Sequence, residues 1–343
     1  MSTRIDIPVP ICSAEKMRRL VELLQSYGSV AIGFSGGVDS TFLAAVCVRA
    51  LPPSRVHLIH LDTPLVGTPE RASFERERKR FERLGAHVVS IEVDPLLDPT
   101  VATNPADRCY HCKRLGFQRI MDVAREVGAH VVLEGSNVDD AGDYRPGTRA
   151  VRDLGAQSPL METGWSKAEE REVLRAWGHE VWSLPAGACL ATRIPCGETL
   201  TKEKLHVVRA CEDYLHDLGF EQVRVRLDAG TARVSLGEDE LDSPLLQNAQ
   251  AGGRALPQRI IDELGRRGGQ RVDPVVRAYI HGEGNGSATR GDAQRAHLQC
   301  PEPLQRSGPV LASSDTDNVL HGGHENLSIP DLPRSGCIAN DPH

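Results

Sequence analysis

The stretch GFSGGVDS, residues 33–40, stands between two apolar runs, Val30–Ile32 and Phe42–Val46. A short β-branched run that breaks at glycines and resumes as a longer apolar run predicts a strand, a tight turn and a helix. In such a turn the backbone N–H groups of Ser35, Gly36 and Gly37 can form an anion-binding nest. The helix that follows adds its own N-terminal donors and the positive end of its dipole. Glycine is needed because a Cβ would block both the turn and the close approach of phosphate oxygens. Ser35 and Ser40 supply hydroxyl donors, and Asp39 can hold Mg²⁺ against the phosphates. A bare Gly-Gly reads more readily as a plain connecting turn. The longer pattern S-G-G-x-D-S, placed between strand and helix, favours the phosphate site.

Outward from this turn the texture is regular. AEKMRRLVELLQSYG spaces Met17, Leu20, Val21 and Leu24 as one helical face behind Ser13. VAIGF, VHLIHLD, HVVSIEV and HVVLEG are short strand-like runs separated by charged helical stretches, one of them with Phe74 and Phe81 on a shared face. This alternation predicts an α/β fold, a parallel sheet with helices on both faces. SKAE, Ser166 to Glu169, is a capping box, and EVWSLP reads as a further strand. From about Thr199 a helix, an alternating pair of strands around Ala229-Gly230 and another helix predict a smaller α+β unit. The expected domains are therefore 1–198, 199–282 and a polar, aperiodic tail, 283–343, expected to be disordered.

The chain has 343 residues, enough for two modest cores, and a net charge of −7, which weighs against a protein that coats nucleic acid. No apolar run reaches the length of about 18 residues that crosses a membrane. The N-terminal MSTRIDIPVPICSAEKM does not read as a signal peptide. Nine irregularly spaced cysteines suggest a reducing compartment, so a cytoplasmic location is expected.

Two groups of cysteines draw the eye. Cys109 and Cys112 form RCYHCK, a pattern open to redox, metal or incidental readings, and His111 between them reads as a solvated loop histidine. Cys189 follows the small residues PAGA and precedes Arg193, whose charge favours the nucleophilic thiolate; a small buried hydrophobe is the equal alternative. On the helix from Thr201, Glu212 falls on the apolar stripe of Leu205, Val208, Leu215 and Leu218, so it needs a partner. VRVR puts Arg224 and Arg226 on one strand face, suited to a phosphate or carboxylate or to a structural pairing with Glu212. Arg233 is the weaker candidate. Asp139, Asp140, Asp143 and Arg145 in DDAGDYRPG are too polar for a core and read as lining the nucleotide site.

The loop resembles the PP-loop of the N-type ATP pyrophosphatases, and it lacks the G-K-[ST] of a P-loop. That resemblance implies ATP with Mg²⁺, attack of a substrate oxygen on the α phosphate, and release of pyrophosphate. Together with NPADRCYHCK, EGSNVDDAGDYRPGTRAV, SPLMETGWSKAEER and GACLATRIPCGETLTKEKL it resembles the LarE family from about residue 15 to about 240. These are ATP-dependent sulfur transferases of nickel-pincer cofactor biosynthesis. The resemblance implies a pyridinium mononucleotide substrate whose carboxylate is adenylated, then captured as a thioester by the cysteine matching Cys189. Cleavage of that cysteine's C–S bond leaves a thiocarboxylate on the substrate and dehydroalanine in the chain. It further implies that Arg224 and Arg226 meet the substrate phosphate, with Glu212 and Arg193 near them. Certain relatives instead hold a [4Fe-4S] cluster on three cysteines, for which Cys109, Cys112 and Cys189 are the candidates. A homo-oligomer is left open, and the segment after the strand pair echoes the family only loosely. The alternatives are a tRNA thiolase on the same loop and a non-catalytic nucleotide-binding module.

Overall fold

The computed structural model describes residues 9–10, 13–140, 146–185, 187–249, 252–268 and 271–280. The expected tail, together with Asp143 and Arg145, lies outside them. In chain order the regular elements are α1 (Ala14–Tyr27), β1 (Val30–Gly33), α2 (Val38–Ala50), β2 (Val56–Asp62), α3 (Thr68–Arg83) and β3 (His87–Glu92). They continue as α4 (Pro99–Ala102), α5 (Arg108–Glu126), β4 (Val131–Leu133), α6 (Pro146–Asp153), α7 (Pro159–Thr163) and α8 (Lys167–Ala176). Then come α9 (Lys202–Asp217), β5 (Val223–Asp228), β6 (Thr231–Leu236), β7 (Gln247–Asn248), β8 (Arg254–Ala255), α10 (Gln258–Arg266), β9 (Arg271–Val272) and β10 (Val275–Ala278).

The first four strands form one parallel sheet in the order β3-β2-β1-β4. Alternation along each strand sends Val30, Ile32, Val56 and Leu58 into one core and Ala31 and Ile59 into another. The first core holds α1, α2, α8 and the Phe74 and Phe81 face of α3; the second holds Phe117, Ile120 and Ala124 of α5 and Val151 of α6. Helices therefore cover both faces, as the sequence predicts. Helix α2 is apolar all round, TFLAAVCV, and buries Phe42 through Cys47 completely because it is packed on every side. That immobilises the helix whose N-terminus carries the glycine turn.

The expected strand at EVWSLP is instead a 3₁₀ turn, Glu180–Ser183. Arg171 of α8 donates to the carbonyls of Trp182 and Leu184, taking up acceptors that a strand partner would need. Val181, Trp182 and Leu184 then pack on the first core rather than extending the sheet.

The second sheet is mixed, in the order β5-β6-β10-β8-β7 with β9 beside β6. It makes its own core with α9 and α10, and Leu190, Ala191, Ile194 and Leu200 join that core. All described residues belong to one compact unit, so the expected 198/199 division separates two sheets within it. None of the described helices is long and apolar enough to cross a membrane.

The β5–β6 hairpin turns at Ala229 and Gly230, both with positive φ (46° and 77°). Such a turn matches the strand twist but strains an alanine. Ala229→Asn, which tolerates this backbone better, is expected to stabilise the protein by about 0.5 kcal/mol in chemical denaturation.

Candidate functional site

The parallel sheet presents the carboxyl ends of β1, β2 and β4 on one edge, where open α/β sheets bind ligands. There β1 runs into Ser35-Gly36-Gly37, and Gly37 caps α2. Gly36 adopts φ 75°, and a Cβ placed on it would stand 2.4 Å from Phe74 Cα. Ser73 Oγ donates to the Gly36 carbonyl at 2.7 Å, so α3 buttresses the turn from behind. Ser35 Oγ and Ser40 Oγ lie 3.0 Å apart, and Gly37 N donates to Ser35 Oγ at 3.3 Å. Ser35, Gly36, Gly37, Asp39 and Ser40 are thus gathered at one helix N-terminus.

Two residues of the capping-box segment also reach this turn. Ser166 caps α8 with Glu169 as expected, and α8 then carries Lys167 and Glu170 toward Asp39. Lys167 Nζ is 3.2 Å from Asp39 Oδ2. Glu170 is fully buried against Asp39, with Oε1 accepting from Asn137 Nδ2 at 3.1 Å. Burial, then the neighbouring Asp39 carboxylate, pushes Glu170 well above the usual carboxylate range. Asp39 Oδ1 and Glu170 Oε2 are both buried with no third side chain donating to them among the described residues, and the proton that Glu170 retains is shared with Asp39. Two facing carboxyls of this kind suit a hard cation such as Mg²⁺ once that proton is displaced. Sequence reading took this segment only as a helix start; the K-x-x-E spacing on the first turn was the available signal.

Of the polar loop, Asp139 Oδ2 accepts from Lys167 N at 2.9 Å and Asp140 Oδ2 from Asn137 N at 3.1 Å. Asp139 thus holds the start of α8 at Lys167, while Asp140 folds back on its own turn.

A second group lies where the two sheets adjoin. Cys189 immediately precedes a 3₁₀ turn, Leu190–Arg193, packed on the core of the second sheet, and Cys112 and Cys189 both pack against that core. Burial, the largest influence, raises the Cys189 thiol above its ordinary value, while Arg108, the Ala191 N–H and Arg193 pull it down. The thiolate expected from Arg193 alone is thus opposed by desolvation. Burial likewise pushes Cys112 up to about 12. The alkylation rate of Cys189 by iodoacetamide is accordingly expected to keep climbing above pH 9, past the point where a free thiol levels off. Peptide mass spectrometry against a model thiol checks this.

Arg108, a residue that sequence reading passed over, is buried at the start of α5. It donates to Asn104 Oδ1, to the Ala191 carbonyl at 3.3 Å and to Cys109 Sγ at 3.4 Å. Its charge acts on Cys109, Cys112 and Cys189 together. Yet the described residues contain no group of three His, Cys, Asp or Glu side chains gathered as metal ligands. Cys109 is exposed and engaged by a guanidinium, whereas Cys112 and Cys189 turn inward. The three thiols nonetheless lie near enough to one another to interact electrostatically, Cys109 raising the proton affinity of Cys112 and Cys189, and Cys189 that of Cys112. His111 pairs with Asp107 at 3.1 Å on the same helix turn.

On the second sheet Arg224 is buried beneath Tyr279, its guanidinium carbon 5.1 Å from the ring centre, and Arg226 donates to Ser235 Oγ at 3.3 Å. Burial and the Arg193 charge lower the proton affinity of Arg224. Arg233 is paired with Asp228. Glu212 is buried on its stripe, and its partner is Arg193 rather than the strand arginines: Nε to Oε1 is 2.9 Å and Nη2 to Oε2 is 3.2 Å.

Comparison with known proteins gives the following. Residues 13–107 match the NAD synthase family model. The chain is 31% identical over 271 residues to the pyridinium-3,5-bisthiocarboxylic acid mononucleotide synthase of Lactiplantibacillus plantarum, covering 78% of this chain and 97% of that one. It is 35% identical over 226 residues to an uncharacterized protein of Synechocystis sp., covering 65% and 83%. An uncharacterized protein of Methanocaldococcus jannaschii is 24% identical over 210 residues, covering 61% and 78%.

Proposed function

We propose a function from one premise: the chain belongs to the LarE family and carries its PP-loop domain. The proposed activity is ATP-dependent sulfur transfer to a carboxylate of a pyridinium biscarboxylate mononucleotide, as in nickel-pincer cofactor biosynthesis. One observation carries it. The donor-rich turn at Ser35–Ser40 and the turn bearing Cys189 occur in one compact unit, the first at the head of α2 and the second on the core of the second sheet.

Backbone N–H groups at Ser35, Gly36 and Gly37 and the hydroxyls of Ser35 and Ser40 bind the pyrophosphate part of ATP. Lys167 stands beside them to offset charge on the leaving pyrophosphate. Mg²⁺, held by Asp39 with Glu170, would neutralise phosphate charge when bound. A substrate carboxylate oxygen attacks the α phosphorus, the Pα–O bond to pyrophosphate breaks, and an acyl adenylate forms. Cys189 sulfur then attacks the acyl carbon, its proton leaves, and AMP departs with the carboxylate oxygen. Loss of the Cys189 Cα proton with cleavage of the Cβ–S bond sends that bond's electrons to sulfur. The products are a thiocarboxylate and dehydroalanine at position 189. Arg224 and Arg226 hold the substrate phosphate. In this assignment residues 1–198 serve ATP, residues 199–282 serve the substrate, and Asp139 and Asp140 border the nucleotide.

Anaerobic incubation with Mg-ATP and the carboxylated pyridinium mononucleotide, followed by intact-mass and peptide spectrometry, tests the reading. The Cys189 peptide should lose the elements of H₂S as one pyrophosphate is released per chain. Thiolated product with Cys189 intact would assign the sulfur to another source. Absence of both AMP and product would return the tRNA reading.

A further inference from the structure

Arg193 and Glu212 do more than neutralise each other. Arg193 is 3% exposed and all three of its side-chain nitrogens are engaged. Nε and Nη2 meet the two oxygens of Glu212, while Nη1 donates to the Ala188 carbonyl at 2.9 Å, the Cys189 carbonyl at 3.2 Å and Thr192 Oγ1 at 3.0 Å. Glu212 Oε1 in turn accepts the backbone N–H of Val225 at 2.8 Å. Val225 lies between Arg224 and Arg226 on β5, the edge strand of its sheet, and its N–H is turned away from β6 toward α9. An unbroken chain of charge-assisted bonds therefore runs from the nucleophile's own carbonyl to the strand that carries the arginine pair.

We propose that Arg193 and Glu212 are positioning residues, a buried tie that holds the Cys189 turn in register with Arg224 and Arg226. The inference rests on the functional reading above, in which Cys189 is the acyl acceptor and the arginines hold the substrate phosphate. Phosphate and acyl carbon sit at opposite ends of one small molecule, joined through a ribose and a pyridinium ring. Attack is productive only if the thiol and the anion site keep a fixed separation, and a misplacement of about 1 Å can cost on the order of 10²-fold in rate. A bidentate guanidinium–carboxylate pair suits this role because its planar fork fixes orientation as well as distance. Lysine would keep the charge and lose the fork. Arg193 also acts electrostatically on both Cys189 and Arg224, as a group between them must.

Arg193→Lys and Glu212→Gln separate this role from simple stabilisation. For each variant the adenylation step is read as substrate-dependent pyrophosphate release, and the transfer step as conversion of the Cys189 peptide. Melting curves give the folded fraction. The expected result is pyrophosphate release close to wild type per folded chain, with Cys189 conversion lowered on the order of 10²-fold. The adenylate is then lost to water, so AMP formed per Cys189 converted rises sharply. Equal loss of both steps, or unchanged coupling, overturns the proposal. If wild type itself forms AMP but never alters Cys189, the functional reading fails separately. The tie is then judged by iodoacetamide alone: release of the turn should raise Cys189 alkylation on the order of 10-fold in both variants. An unchanged rate overturns the tie.

Discussion

Cys189→Ala should abolish thiocarboxylate formation while pyrophosphate release continues. The thiol is the only group in the scheme that can carry sulfur to the acyl carbon, and no neighbour can replace it. Cys112 packs on the same core, but burial holds its thiol up at about 12, and Cys109 is bound by Arg108. Removal of a covalent nucleophile typically lowers a rate by on the order of 10⁴-fold or more. In the proposed scheme the adenylation chemistry belongs to the turn at Ser35–Ser40, to which Cys189 contributes no group. Adenylate should therefore still form and drain to water as AMP. The measurement is parallel quantitation of pyrophosphate and thiocarboxylate, with circular dichroism to show the fold intact. Cys189 is half-buried beside the core of the second sheet, and shortening it by one sulfur atom should cost only about 1 kcal/mol of stability. Thiocarboxylate made by the variant would remove Cys189 from the mechanism.

Gly36→Ala carries the second large effect, at the other end of the reaction. The backbone there has φ 75°, a conformation that costs an alanine about 1–2 kcal/mol. Its new Cβ would also lie 2.4 Å from Phe74 Cα and 2.8 Å from Phe74 N, main-chain atoms that cannot swing aside. Phe74 is anchored by its ring against Phe34 and His60, at centroid distances of 5.9 and 3.5 Å. The turn must therefore move rather than the helix. We expect a loss of about 3 kcal/mol in denaturant unfolding. Misaligned N–H donors should also lower substrate-dependent pyrophosphate release on the order of 10²-fold, as loss of preorganised donors does elsewhere. Gly37→Ala is the control: its backbone is extended, φ −83°, and a Cβ would meet only Ser35 Oγ at 3.4 Å. It should unfold like the wild type. Equal behaviour of the two variants would remove the steric account of the loop.

Much of this was legible in the residues because it is local. A strand, a glycine turn and an apolar helix follow from spacing within a few residues, as do the Ser166–Glu169 capping box and the apolar stripe of α9 that buries Glu212. Even the need for a partner at Glu212 could be read, since a buried carboxylate without one is costly. What escaped was mostly a matter of long-range proximity. EVWSLP has a strand's composition, but Arg171 one helix back takes its carbonyls and turns it into 3₁₀ structure. SKAE showed a helix start and not that Lys167 and Glu170 would meet Asp39.

The sequence by itself determined the parallel α/β layer, the glycine turn at the head of α2 and the strand spacing that sets Arg224 and Arg226 on one face of β5. Each depends on the hydrophobic period, on glycine's backbone freedom or on side-chain chemistry, which a residue carries wherever it lies. Tertiary structure alone decided which charges meet and how dry they are. It gave Glu212 to Arg193 instead of to the strand arginines, placed Arg108 among the cysteines, and half-buried Cys189 so that desolvation outweighs the nearby guanidiniums. Pairing and dielectric are properties of the packed chain, because a charge is stabilised or suppressed only by what folding brings beside it.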